Sequence, residues 1–283
     1  MAKIKLMICF FISFHLGANH LRLNLQSALN KKLVEAKVSS LGGYQGFCIH
    51  LTLKSLSKDS LIILVEAGRR LNSLDDKNQD ILIVKEQIIA LRTREQKSFD
   101  VKGYCCQAHN HSPYKGAKYD INKLADSNLV CLANYLNANE FDTNAEQEAV
   151  WALSDKRPAA NITGTNDSLI QGLRERIALI KGEKIPWYRI ISKKFVFDNG
   201  VITIVNLKLQ GVLSYSNEKE DYATLTVINE KGLLVCRVQS EWIKICVNEN
   251  YKLDLPIKGL AKGKYTIELK TPEKLLTKGD FEI

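Results

Sequence analysis

Between about residue 30 and residue 105, apolar residues come in short runs broken by turn formers. Leu33 to Val38 runs into Gly42-Gly43. From Phe47 to Leu53 the chain alternates, which puts Phe47, Ile49, Leu51 and Leu53 on one face and His50 and Thr52 on the other. Leu61 to Val65, Ile81 to Val84 and Ile88 to Leu91 are further short runs, and Phe99 to Cys105 closes the series. Strands this short, at this spacing, predict a sandwich or a barrel.

The period then changes. Leu124, Leu129, Leu132, Ala133 and Leu136 recur at helical spacing, with Asp120 or Asn122 placed to cap the start. A second short helix is predicted from about Asn144 to Ser154, its stripe formed by Ala145, Ala149, Val150 and Leu153 with Trp151 at the edge. Residues 158–166 are small and polar, like a linker. Asp167 is placed to cap a third helix that carries Leu169, Leu173, Ile177 and Ile180 on one face and ends at Gly182. Strands return after Trp187: Lys194 to Phe197, Val201 to Leu209, Ala223 to Ile228, Leu233 to Val238, Trp242 to Val247, Lys252 to Leu255 and Tyr265 to Lys270. The expected fold is mostly β with a few helices. An α+β N-terminal domain spans 20–157, a linker with a short helix spans 158–186, and an immunoglobulin-like β-sandwich spans 187–283.

The first 19 residues read differently. Lys3 and Lys5 precede the apolar run Leu6 to Leu16, and Gly17-Ala18 follows, the order of an export signal. No later stretch is long and apolar enough to span a bilayer, so a secreted or cell-surface protein without a membrane span after signal removal is expected. The formal charge of +9 is spread along the chain. A nucleic-acid binder would cluster that charge in a stripe with interleaved aromatics, and none is present. Of seven cysteines, six follow the signal: Cys48, Cys105, Cys106, Cys131, Cys236 and Cys246. Cys236 and Cys246, in neighbouring predicted strands, are candidates for a disulfide. There is no Cys-x-x-Cys pair to suggest structural zinc or thioredoxin-like chemistry.

Two segments carry candidate chemistry: Gly103-Tyr104-Cys105-Cys106-Gln107-Ala108-His109-Asn110-His111, and Asn144-Ala145-Glu146-Gln147-Glu148-Ala149-Val150-Trp151. Together they resemble the thioester domains of bacterial surface adhesins. Tyr104-Cys105 matches the Tyr-Cys strand motif, and Gln147-Glu148-Ala149-Val150-Trp151 matches the Gln-x-Ala helix motif. The intervening Ser112 to Tyr119 matches a Pro and Gly-x-x-Tyr stretch. The likeness covers about residues 99–155. Glu146 stands where the family usually has threonine, and Cys106 follows the cysteine. The resemblance implies a bond between the Cys105 sulfur and the Gln147 side-chain carbonyl, an electrophile that a partner lysine amine opens. His109 and His111 are candidate helper bases, and Cys106 lies beside the reacting thiol.

Other readings of the same residues stay open. Cys105 and Cys106 could be structural or disulfide-bonded, with Gln147 capping its own helix. Cys105, Cys106, His109 and His111 are acceptable zinc or copper ligands in type, although strand neighbours point to opposite faces. No nucleophile turn, phosphate loop or carboxylate pair marks a classical enzyme, and no cofactor is implied. Tyr251 to Leu255 and Gly259 to Ile267 resemble the carboxy-terminal sorting domains of the gliding-associated secretion system of Bacteroidetes, but a Gly-x-Tyr hairpin also occurs in other immunoglobulin-like modules. Two functions follow. One is a surface adhesion protein that attaches covalently, through Cys105 and Gln147, to a protein or glycan ligand. The other is a non-covalent structural or ligand-binding module without a reactive site.

Overall fold

The computed structural model describes residues 21–283, and the predicted export signal lies outside the described residues. Strands hold 49% of the chain and helices 18%, so the mostly β, α+β class is the observed one. The strands are β1 (Leu21–Asn24), β2 (Val34–Ser40), β3 (Gln45–Ser55), β4 (Leu61–Val65), β5 (Arg69–Ser73), β6 (Ile81–Ile83), β7 (Gln87–Leu91), β8 (Gln96–Cys105) and β9 (Lys118–Leu124), followed by β10 (Tyr188–Val196), β11 (Ile202–Asn217), β12 (Asp221–Asn229), β13 (Leu234–Ile243), β14 (Cys246–Pro256), β15 (Lys264–Lys270) and β16 (Leu275–Glu282). The helices are α1 (Leu25–Asn30), α2 (Ser127–Ala138), α3 (Thr143–Ser154) and α4 (Asp167–Lys181).

Six strands close a barrel in the order β2-β3-β8-β6-β5-β9, with β9 pairing back onto β2. A second sheet, β1-β4-β7, shares its core: Leu61, Ile63 and Val65 pack with Ile49, Leu51, Leu53 and Val101. Closure removes the sheet edges that short strands would otherwise expose. One detail of the sequence pattern fails here. A bulge between Phe47 and Ile49 puts both Cys48 and Ile49 inside and turns Phe47 outward, 62% exposed. The extra residue resets the alternation, so Phe47 leaves the face expected for it. His50 bonds Asp100 of β8 through Nδ1 at 2.8 Å.

Helices α2, α3 and α4 form a second core against the outer side of β8, where Leu132, Leu136, Ala149, Val150, Leu173 and Ile177 meet Tyr104 and Cys106. Helix α2 begins later than the periodicity suggested. Asp126, not Asp120 or Asn122, caps it, accepting from Asn128 and Leu129 at 3.0 and 3.1 Å. Asp120 and its neighbours belong to β9, whose pairing with β5 and β2 overrides a helical pattern carried into it by Leu124 alone. Helix α4 is capped by Asn166 rather than Asp167, and ends at Gly182 in the left-handed conformation, φ 67°. Residues 159–161 form a 3-10 turn with Ala159 and Ala160 buried, so this polar-looking stretch is packed.

The remaining strands build a two-layer sandwich, β10-β11-β14 facing β13-β12-β15-β16, around Ile190, Leu209, Leu225, Val227, Leu253, Leu255, Ile267 and Leu269. Its seven strands are not the seven expected. Trp242 to Val247 is divided between the end of β13 and the start of β14, and β16 takes the final place. In the constant-type immunoglobulin sandwich the fourth strand joins the first sheet. Here it pairs with the third strand instead, giving three strands against four.

Candidate functional site

Strand β8 passes between the two cores of the N-terminal region, and its alternation sorts the candidate residues. Cys105 faces the barrel core, while Tyr104 and Cys106 face the helices. Gly103 allows the approach to β6: a Cβ there would meet Ile81 Cγ2 at 2.4 Å. Paired residues between β3 and β8 end at Gln45 and Tyr104, and after one more backbone bond, from the Cys105 N–H to the Tyr44 carbonyl, the Cys105 carbonyl is left without a backbone partner on that side.

Gln147 fills the gap. Its Oε1 accepts from the Cys105 backbone N–H at 3.1 Å, and its Nε2 donates to the Cys105 carbonyl at 2.9 Å. A side-chain amide thus stands where the next peptide of β3 would have stood, beside the Tyr44 carbonyl that shares the same N–H at 3.1 Å. Cys105 and Gln147 are both 0% exposed. Asp142 caps α3 by accepting from Ala145 at 2.9 Å, so Gln147 does not serve as a cap.

The residues on either side of Gln147 are buried as well. Tyr104 donates its hydroxyl to Glu146, and burial pushes the Glu146 carboxyl above its ordinary value. Glu148 is ion-paired with Arg157 at 3.0 Å and with Lys194 of β10 at 2.7 Å. Lys194 also donates to Asn144 Oδ1 at 2.5 Å, and desolvation pulls its amine down. Trp151 gathers the group: Tyr44 stacks on it, and the Lys194 and Arg157 cations lie 5.1 and 5.5 Å from its ring centroid. Eight successive residues of α3, Ala145 to Ala152, are buried. The helix is wedged between barrel, neighbouring helices and sandwich, which explains why an amphipathic stripe alone does not describe it.

The thiols are held protonated. Burial raises Cys105 well above its ordinary value, and pushes Cys48 and Cys106 up to about 12. All six described cysteines are free, so the expected Cys236–Cys246 bridge is absent: their strands β13 and β14 lie in different sheets. Cys105 and Cys106 are likewise unbridged, facing opposite sides of β8. The helper histidines sit apart from the Cys105–Gln147 contact. His109 is 76% exposed by side chain, with Nδ1 3.5 Å from Asp155 at the end of α3. His111 is fixed through its backbone to Lys77 and Gln79. No three His, Cys, Asp or Glu side chains converge as metal ligands among the described residues.

The sequence reading missed the Asn144, Glu148, Arg157 and Lys194 cluster, because Lys194 arrives from another sheet and no local pattern marks it. No described helix is long and apolar enough to cross a membrane. Comparison with protein-family models and with curated protein sequences finds no match.

Proposed function

We propose that the chain is a secreted or cell-surface adhesion protein whose N-terminal region forms an internal thioester between Cys105 and Gln147. The observation carrying this reading is the docking of the Gln147 carboxamide on the peptide unit that bears the Cys105 thiol, through two hydrogen bonds. Thioester formation joins Cys105 Sγ to Gln147 Cδ and releases the amide nitrogen as ammonia. The thiol proton leaves with it. Attack by a ligand amine then expels the thiol and leaves an amide on Gln147. Holding the carboxamide on the Cys105 backbone, with both residues shut off from solvent, favours the first step and protects its product from hydrolysis. The partner is a protein or glycan amine on another surface, and it reaches the buried bond when α3 shifts away from β8.

The test is the intact mass of the purified protein with and without methylamine. One ammonia missing, replaced by methylamine at Gln147 and dependent on Cys105, supports the thioester. An unshifted mass that methylamine leaves unchanged overturns it. A second reading follows from the same two bonds. Gln147 already satisfies the open C=O of Cys105 and shares its N–H with Tyr44, as a structural side chain would. In that reading the protein is a non-covalent surface-binding module, and Cys105→Ala leaves ligand binding intact.

A further inference from the structure

Helix α4 meets the sandwich along a groove of about 370 Å³, within the roughly 300–1,000 Å³ of small-molecule sites. Three cationic side chains line it, Arg174 of α4, Arg189 of β10 and Lys252 of β14, and no carboxylate does so among the described residues. Arg174 is only 6% exposed. Its Nε donates to the Ile162 carbonyl at 2.9 Å, and its Nη2 has no partner among the described residues. Its Nη1 stands 3.5 Å from Gln171 Oε1, longer than the roughly 2.7–3.2 Å of a normal bond. A buried guanidinium is ordinarily paired, because desolvating an unmatched charge is costly. Here burial, and then the charge of Arg189, pull Arg174 below its ordinary value. Asp167 acts the other way, but it is spent on Arg189 Nη1 at 2.6 Å. Lys252 is exposed, with no bonded partner among the described residues.

Trp187 forms another wall of the groove. Its indole lies on Gly211 and Gly279, where a Cβ would come within 2.8 and 2.5 Å of the ring, and its Nε1 donates to the Asp280 carbonyl at 2.8 Å. The two glycines and that bond hold an aromatic surface beside the three cations.

We infer that this groove binds an oxyanion, a sulfate, phosphate or carboxylate group, on Arg174, with Lys252 and Arg189 as flanking cations. Nε is committed to Ile162, so the Nη1–Nη2 end supplies the fork that matches two oxygens of such a group. The anion supplies the acceptor for Nη2 and takes Nη1 from its long contact with Gln171, which swings aside on entry. Low local dielectric strengthens the resulting pair. An oxyanion borne on a sugar ring gains a further contact, the ring against Trp187, whereas a free ion does not. The site shares no residue with the Cys105–Gln147 pair and does not rest on the thioester.

The test is isothermal titration of the full chain with sodium sulfate, sodium phosphate, sodium glucuronate and glucose, at one ionic strength held by sodium chloride. Saturable binding of the anions, and none of glucose, is expected. Arg174→Met keeps an apolar stem and removes the guanidinium. It should weaken binding roughly tenfold or more, the scale of one lost charge-assisted hydrogen bond. Lys252→Glu, at an exposed position, should weaken it in the same direction, and it carries the test if Arg174→Met does not fold. Cys105→Ala should bind as the wild type does, which separates this site from the thioester. Glucuronate held more tightly than sulfate and phosphate would support the site and assign it to an acidic saccharide. Equal affinities would support it and assign it to a free oxyanion. Heats that do not saturate, glucose bound as well as glucuronate, or affinities that neither Arg174→Met nor Lys252→Glu changes would overturn it.

Discussion

Tyr44 and Trp151 stack with ring centroids 5.8 Å apart and planes inclined by only 9°. The pair fastens the turn before β3 to the middle of α3, and so fixes the helix carrying Gln147 over the end of β8. Trp151 is fully buried and also receives the Lys194 and Arg157 cations. Trp151→Ala should therefore destabilise the protein by about 3–5 kcal/mol, the usual range for truncating a large buried aromatic. Urea unfolding followed by far-ultraviolet circular dichroism measures the loss. A change below 1 kcal/mol (about the scale of a surface substitution) would mean that Trp151 does not hold the helix.

Gly103 offers a test of the strand crossing beneath that helix. A methyl group there would lie 2.4 Å from Ile81 Cγ2 and 3.4 Å from Cys48 Sγ. Gly103→Ala should cost about 1–3 kcal/mol through overpacking. Pairing it with Ile81→Ala should recover part of the steric loss, because that substitution removes the Cγ2 methyl that the new group meets. A double-mutant cycle reads this coupling directly.

Glu146 makes stability depend on pH with a defined sign. Burial raises its carboxyl above the ordinary value. A raised folded value means that the folded chain holds a proton the unfolded chain releases above about pH 4.3. Stability should thus fall as pH rises from there through the folded value. Glu146→Gln, neutral at every pH and still able to accept from Tyr104, should flatten this dependence. Urea midpoints measured from acid to neutral pH, wild type against variant, would show the two curves diverging. Parallel curves would contradict the assignment.

The thiols give an alkaline counterpart. Cys48 and Cys106 ionise only near pH 12 in the fold, against about 8.5 in an unfolded chain. Between those values the unfolded state loses protons that the folded state keeps, so stability should fall as pH rises through that window. Iodoacetamide at pH 8 should label the half-exposed Cys131, Cys236 and Cys246 before the buried Cys48 and Cys106. Rapid labelling of Cys48 or Cys106 in the native protein would show that the barrel end opens.

Periodicity is enough for β4, which runs from Leu61 to Val65 as expected, and nearly so for β7 and β8, which begin at Gln87 and Gln96, ahead of the expected Ile88 and Phe99. It failed where pairing, rather than pattern, decides. The bulge that expels Phe47 is a two-against-one mismatch with β8, which no property of Phe47 announces. Strand β9 does not show in the pattern because Lys118, Asp120 and Lys123 are exposed and Leu124 falls in helical phase with Leu129. Strand β16 shows little alternation in Leu275 to Glu282 and is held mainly by β15. For the site, residue type and order singled out Cys105 and Gln147, but their contact depends on β3 ending early beside β8. Lys194 was out of reach: its partners Asn144 and Glu148 lie 50 and 46 positions earlier in the chain.

Because Lys194 is anchored on β10 and buried against α3, tension applied to the sandwich reaches that helix through the Lys194 contacts, beside the backbone bond from Ser112 to Gly200 that leads into the barrel. The first contacts along that line hold the Glu148 side of α3, one residue from Gln147. On the adhesion reading proposed above, a ligand pulled against the sandwich would load the very helix that carries Gln147, and the strength of the Lys194 attachment would bear on the force at which that helix lifts.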